Sequence, residues 1–309
     1  MLICSAPRVL CALVLLMLCA SSTSALPAFW SISPRDNVLR RVDGATGRTH
    51  KGSQVLTVAG ETEVLGGYGI ARHPSTGILY VILRVPSTAS RVLCTVNEED
   101  GICTRVGPTG DTGDRFAGIT FSSDGTLYAL TGDGAGYYDP ETLCTLSLID
   151  ASATCGLTLG NGSHGEVLAF NPDDGLIYHG SGSGTPNDPT AGEIFETVDP
   201  GTSTITPIPL SGHDYTNLTG LYYAGNGVFY AAEPNENSGD NPHILTITDA
   251  GFVELVAPLD HISKGFALLP ATVPVTPFHP FATVLGGLVL IVGMRPFLGR
   301  RDGTPVPPR

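Results

Sequence analysis

The sequence predicts an all-β body built from a repeated four-stranded unit. Three observations carry this. Glycine is abundant, at 39 of 309 residues, and is scattered between short apolar runs, the composition of a chain with many tight turns. Hydrophobic residues make up 42% of the chain, enough apolar surface to offset the entropy of folding. A pattern recurs at roughly 50-residue intervals, and it is the strongest of the three.

The first half of the unit reads GIARHPSTGILYVIL from Gly69, GITFSSDGTLYALTG from Gly118, VLAFNPDDGLIYHGSG from Val167 and GLYYAGNGVFYAAEP from Gly220. Each has a short apolar strand, a polar turn closed by Gly77, Gly125, Gly175 or Gly227, and a strand centred on Tyr80, Tyr128, Tyr178 or Tyr230. Glycine supplies the positive φ that such a hairpin requires. The second half repeats from Leu93, Leu143, Ile194 and Ile244 as an alternating hairpin. Two hairpins per unit make four strands, the period of a β-propeller blade. The repeated tyrosines and Trp30 read as core.

The ends of the body complete the count. Val38–Gly47 matches a second-half hairpin with no first strand ahead of it, and Lys264–Pro270 matches a first strand and then stops. Joining them gives a fifth, composite blade and removes two exposed sheet edges. Six blades would follow if residues 48–66 held a degenerate unit. The closure resembles the "velcro" of propeller families, and the LY…VD-x-x-TG pattern resembles exported bacterial propellers of the YVTN/DUF4394 kind. That resemblance implies a fold over about residues 28–269 and no particular activity.

The flanks give an address. In residues 1–25 a single base, Arg8, precedes the apolar run Val9–Ala20, and Thr23-Ser24-Ala25 offers small residues for cleavage, the layout of a secretory signal. The body is then 26–269. A Pro-rich linker, 270–280, leads to an apolar segment, 281–298, which is a short membrane span when Arg295 snorkels. Arg300, Arg301 and Arg309 follow in the tail, 299–309, so the positive-inside rule leaves the tail cytoplasmic and the body outside. The order Pro-rich stretch, short apolar helix and terminal arginines resembles the PEP-CTERM and IPTL-CTERM sorting tags of bacterial exported proteins, with Val273-Pro274-Val275-Thr276-Pro277 in place of the Pro-Glu-Pro signature. The resemblance implies removal of the segment; the residues alone equally describe a lasting anchor.

Charge excludes some partners. The formal net charge is −13, and five arginines but only Asp302 among the acids lie in the end segments, so the body is more acidic still. Such a surface repels nucleic acid and anionic lipid.

Of the seven cysteines, Cys4, Cys11 and Cys19 fall within the signal. Cys94 and Cys144 occupy equivalent repeat positions, each with a partner across its own hairpin, so Cys94–Cys103 and Cys144–Cys155 are the expected disulfides in an exported chain. No CxxC or neighbouring histidine favours a metal there. Asn161-Gly162-Ser163 and Asn217-Leu218-Thr219 fit the glycosylation sequon.

Ligands of propellers sit where strands enter the central channel. Aligning the residues ahead of each first strand sets Tyr68, Ala117, Glu166, Thr219 and Lys264 at one level, with Arg115 and His164 two residues earlier. Glu166, Lys264, His164, Arg115 and Tyr68 are therefore the candidate ligand-binding set. No catalytic residue is assigned, because G-x-S-x-G, HExxH and P-loop motifs are missing. No metal or other cofactor is assigned either. The oxygen-rich Asn235–Asn241 could hold Ca²⁺ but departs from the EF-hand pattern. The expected function is a membrane- or surface-anchored binding or scaffold module for protein or glycan. The alternative, resembling gluconolactonase propellers, is a metal-dependent lactonase or hydrolase, for which Glu166 is the one well-placed channel acid.

Overall fold

Strands form where the apolar–polar alternation is regular, and they break at the glycine turns. The computed structural model describes residues 27–88, 91–110, 116–132, 141–159, 166–182, 193–214, 217–234 and 242–270. The expected signal, the linker after Pro270, the membrane segment and the tail, together with Arg115, His164, Asn161 and the 235–241 loop, lie outside the described residues.

Blade 1 contains β1 (Ala28–Ser31), β2 (Val38–Asp43) and β3 (Thr49–Val55). Blade 2 contains β4 (Thr57–Val58), β5 (Gly66–Arg72), β6 (Leu79–Arg84), β7 (Val92–Val96) and β8 (Ile102–Pro108). Blade 3 is β9 (Gly118–Phe121), β10 (Leu127–Leu130), β11 (Thr142–Leu146) and β12 (Ala153–Thr158). Blade 4 is β13 (Val167–Asn171), β14 (Leu176–Ser181), β15 (Ile194–Asp199) and β16 (Thr204–Pro207). Blade 5 is β17 (Ser211–Gly212), β18 (Gly220–Gly225), β19 (Val228–Glu233), β20 (His243–Thr248) and β21 (Phe252–Pro258). The last strand, β22 (Phe266–Leu268), returns to blade 1.

The composite blade is as expected: its strand order is β22-β1-β2-β3, with Trp30 opposite Ala267. The second strand of that blade is β1, which the repeat does not mark. Residues 48–66 hold no sixth blade. They supply β3 and then β4, which adds in parallel to the outer edge of β8. Strand β17 caps blade 5 in the same way, against β21. The inner strands β22, β5, β9, β13 and β18 each contact the next around a closed ring.

Every seam between blades has its own apolar core. Trp30, Tyr80, Tyr178 and Tyr230 are buried, one in each of four seams, and Tyr128 packs half-buried into the fifth. Register makes these positions equivalent: Trp30 opposes Arg41 as Tyr80 opposes Thr95 and Tyr230 opposes Thr246. Burying an aromatic of this kind contributes about 2–3 kcal/mol, so the repeated residue fixes the stacking of neighbouring blades. The expected turn glycines, Gly77, Gly125, Gly175 and Gly227, all have positive φ, from 70° to 89°.

One expected disulfide forms and one does not. Cys144 lies directly opposite Cys155, and the two are bonded. In blade 2 the hairpin is two residues shorter than the separation of 11 in blade 3, so Cys94 opposes Arg105 and Cys103 opposes Val96. Cys94 and Cys103 remain free, buried thiols, and burial pushes both up to about 12. Sequence alignment made the hairpins equivalent; register did not.

Candidate functional site

Four of the expected channel residues do share one level. Ala117, Glu166, Thr219 and Lys264 line a constriction together with Gly69, Gly118, Gly220 and Gly265. The glycines explain its width. A Cβ at Gly220 would lie 3.0 Å from the Gly265 nitrogen, and one at Gly69 would lie 3.1 Å from the Ile119 nitrogen. Five strands converge here almost backbone to backbone, leaving about 10 Å³, about the space of one water. Glu166 and Lys264 are buried, at 5% and 8% exposure, and the Glu166 stem packs beside Gly132. Tyr68 is not among the residues lining this constriction. It occupies a bulge of β5 and leaves the ring, stacking instead on the Arg91 guanidinium at 3.4 Å in the seam between blades 2 and 3.

Beside the neck lies a buried ionic cluster that the sequence did not announce. His179 is fully buried between two carboxylates: Nε2 is 2.5 Å from Glu141 and Nδ1 is 2.9 Å from Glu196. Ser181 donates to the other Glu141 oxygen at 2.8 Å. Burial alone would lower the imidazole, but Glu141 and Glu196 outweigh it and raise His179 to about 9. It is a cation at neutral pH, held between blades 3 and 4. Nothing in the repeat marks it, because partners come from β14, β15 and the residue ahead of β11.

A second polar chain joins the two ends of the body. Ser31 Oγ is 2.8 Å from His261 Nε2, and His261 Nδ1 is 2.8 Å from Asp260. Ser31 Oγ also lies 2.8 Å from the Ser263 hydroxyl, and Asp260 accepts from the Thr49 backbone and hydroxyl. Burial keeps His261 below its ordinary value despite Asp260, so it is neutral at pH 7. The order is that of a nucleophile, base and orienting acid. Ser31, however, has 0% exposure within the β1 ladder, so no substrate carbonyl reaches it. These residues act as a latch across the composite blade.

The opposite end of the channel is open. Where the inner strands finish, a cup of about 330 Å³ is lined by Phe121, Phe170, Tyr222, Tyr223 and Phe266. Phe29 packs on two of its lining residues, Tyr222 at 5.5 Å and Phe266 at 5.4 Å. Arg72 at the rim is held by Glu98, by the Gly77 carbonyl and by the Leu268 carbonyl, and Glu98 also accepts from Trp30. The repeat did carry a signal for this site. Phe121, Phe170 and Tyr223 each follow the aligned neck position (Ala117, Glu166, Thr219) by four residues, with Arg72 and Leu268 in the remaining blades.

Among the described residues, no group of three or more His, Cys, Asp or Glu side chains is arranged to hold a metal ion. Asn217 of the second sequon is buried, at 5% exposure.

Fold and cup together define the class: a five-bladed propeller whose described residues form a narrow neck and an open, aromatic mouth. No family model matches the sequence, and no curated protein sequence matches it. Among solved structures, TolB from Acinetobacter baumannii superposes with a TM-score of 0.47 at 13% identity, over 75% of this chain and 52% of that one. This chain thus spans about half the length of that protein. A putative TolB from Agrobacterium tumefaciens gives 0.48 at 12% identity, over 79% and 91%. The PQQ-bound aldose sugar dehydrogenase of Streptomyces coelicolor gives 0.40 at 19%, over 63% and 61%.

Proposed function

We propose that this chain is an exported, surface-tethered propeller that binds a protein segment or glycan in the aromatic cup. The contrast in space carries the reading. The neck, with Glu166 and Lys264, has about 10 Å³, whereas the cup has about 330 Å³. Small-ligand sites occupy about 300–1,000 Å³ and combine apolar walls with few polar groups. Aromatic faces suit both the C–H faces of sugars and the side chains of an extended peptide. The signal-like residues 1–25 and the apolar segment 281–298 support export and tethering. A lactonase working at the neck finds no volume there for a lactone and its water.

The test is calorimetric titration of the full chain in detergent with soluble oligosaccharides and unstructured peptides, up to millimolar concentration. Binding weakened at least tenfold by Phe170→Ser and kept in Glu166→Gln supports the cup. Lactone hydrolysis abolished by Glu166→Gln would overturn it.

A further inference from the structure

We infer that the cup recognises the arginine side chain of a basic segment on a partner protein. This deepens the reading above and rests on the cup being the binding site.

Charge around the cup is one-sided. Its cation, Arg72, is already neutralised, because Glu98 takes both terminal nitrogens of the guanidinium, at 2.6 Å and 2.8 Å. His73 in the lining accepts the Ser75 and Thr76 N–H groups on Nδ1, as a neutral ring does. Three aspartates stand exposed on the hairpin tips at the rim: Asp124 between β9 and β10, and Asp173 and Asp174 between β13 and β14. Two of them are tied directly to the lining. Asp124 accepts from the Ser122 hydroxyl, and Asp173 accepts from the Tyr223 hydroxyl. Asp174 accepts from the Tyr178 hydroxyl at 2.9 Å and from the Asn171 amide at 2.8 Å. All these partners are neutral, so among the described residues the three carboxylates hold no counter-ion. Burial first, and then Asp173 and Asp174, raise the Tyr223 hydroxyl above its ordinary value, so the acidic field reaches the aromatic wall.

Desolvation selects arginine among the ligands that fit. The polar groups of the lining are largely occupied: the Thr120 hydroxyl accepts the Phe170 N–H at 3.0 Å, and the Tyr223 hydroxyl accepts the Gly227 N–H at 3.1 Å. A sugar brings many hydroxyls that each need a partner, and few partners are left here. A guanidinium is planar and weakly hydrated, so it stacks on aromatic faces while its edge turns to the rim carboxylates. An ammonium is a compact, strongly hydrated charge and loses more on leaving water. The protein already contains the arrangement, since the Arg91 guanidinium lies 3.4 Å from the centre of the Tyr68 ring. The chain's formal charge of −13 also draws a basic partner from a distance.

The test is calorimetric titration of the full chain in detergent with three capped peptides, Gly-Ser-X-Ser-Gly, in which X is arginine, lysine or citrulline. Citrulline keeps the shape of arginine without its charge, and this comparison leaves the protein unaltered. The arginine peptide should bind about tenfold tighter than the citrulline peptide and about threefold tighter than the lysine peptide. Its binding should weaken about threefold in Asp173→Asn, vanish in Phe170→Ser folded by circular dichroism, and weaken with added salt. Equal binding of arginine and citrulline, lost in Phe170→Ser, overturns recognition of charge while keeping the cup as a peptide site. Lysine bound as tightly as arginine overturns the assignment to arginine. Arginine binding undiminished in Phe170→Ser is attraction to the acidic surface at large and overturns the proposal. No binding of any of the three up to millimolar concentration overturns it too, and the oligosaccharide titrations then judge the cup separately.

Discussion

Replacing His179 with glutamine removes the cation held between Glu141 and Glu196, and the consequence is a specific change in the pH dependence of stability. The imidazole ionises near 6.5 in the unfolded chain and near 9 in the fold. At about 1.4 kcal/mol per pH unit, the folded state gains about 3 kcal/mol from holding this proton. Because the folded value is the higher one, the folded state binds more protons between the two. The gain is complete below 6.5, declines above it and is gone once the pH passes 9. Urea unfolding monitored by far-UV circular dichroism at pH 6, 7, 8, 9 and 10 reads this directly. Wild type minus His179→Gln should shrink by about 3 kcal/mol from pH 6 to pH 10. The variant should also be weaker at pH 6 by about 3–5 kcal/mol, since two buried carboxylates lose their counter-charge. Parallel wild-type and variant profiles across that range would refute the reasoning, whatever the absolute stabilities.

Three further outcomes follow from the same structure. Ser31→Ala breaks the latch and leaves the buried His261 Nε2 without its hydroxyl, costing about 1–3 kcal/mol in the same unfolding assay; a fluorophosphonate should not label the wild type, and labelling lost in Ser31→Ala would show an accessible nucleophile. Iodoacetamide should reach Cys94 and Cys103 only after denaturation, and non-reducing peptide mapping should find Cys144 linked to Cys155, a bond whose loss in Cys144→Ser costs about 2–3 kcal/mol; a Cys94–Cys103 linked peptide would contradict the register. Ser203→Gly relieves a non-glycine residue at φ 58° on an exposed turn, so unfolding free energy should rise by about 0.5 kcal/mol, the left-handed strain less glycine's added chain entropy; a loss of stability would refute the strain.

The repeat was legible because a propeller blade is a local object. Each four-stranded unit is contiguous in sequence, with period-two alternation and a glycine where the hairpin needs positive φ, so Gly77, Gly125, Gly175 and Gly227 could be read directly. The composite blade was legible as two halves missing each other's parts. Even the level of Ala117, Glu166, Thr219 and Lys264 followed from alignment. What the alignment could not supply was width. Gly69, Gly118, Gly220 and Gly265 stand at the start of the repeated first strands, and together they let the inner strands close the neck to about 10 Å³.

The sequence by itself determined the repeated four-stranded unit and the aromatic position that recurs in it as core, because these depend on periodicity and on contacts between neighbours in the chain; that residues 48–66 supply edge strands and no sixth blade was decided by the fold. Tertiary structure alone decided the rest. The two-residue difference between hairpins sent Cys103 to Val96 and away from Cys94. The bulge of β5 took Tyr68 out of the channel. The closure of five strands gathered Phe121, Phe170 and Tyr223, from three separate blades, into one cup. Each outcome depends on register or on the distance between strands far apart in sequence, and no pattern within a single strand encodes either.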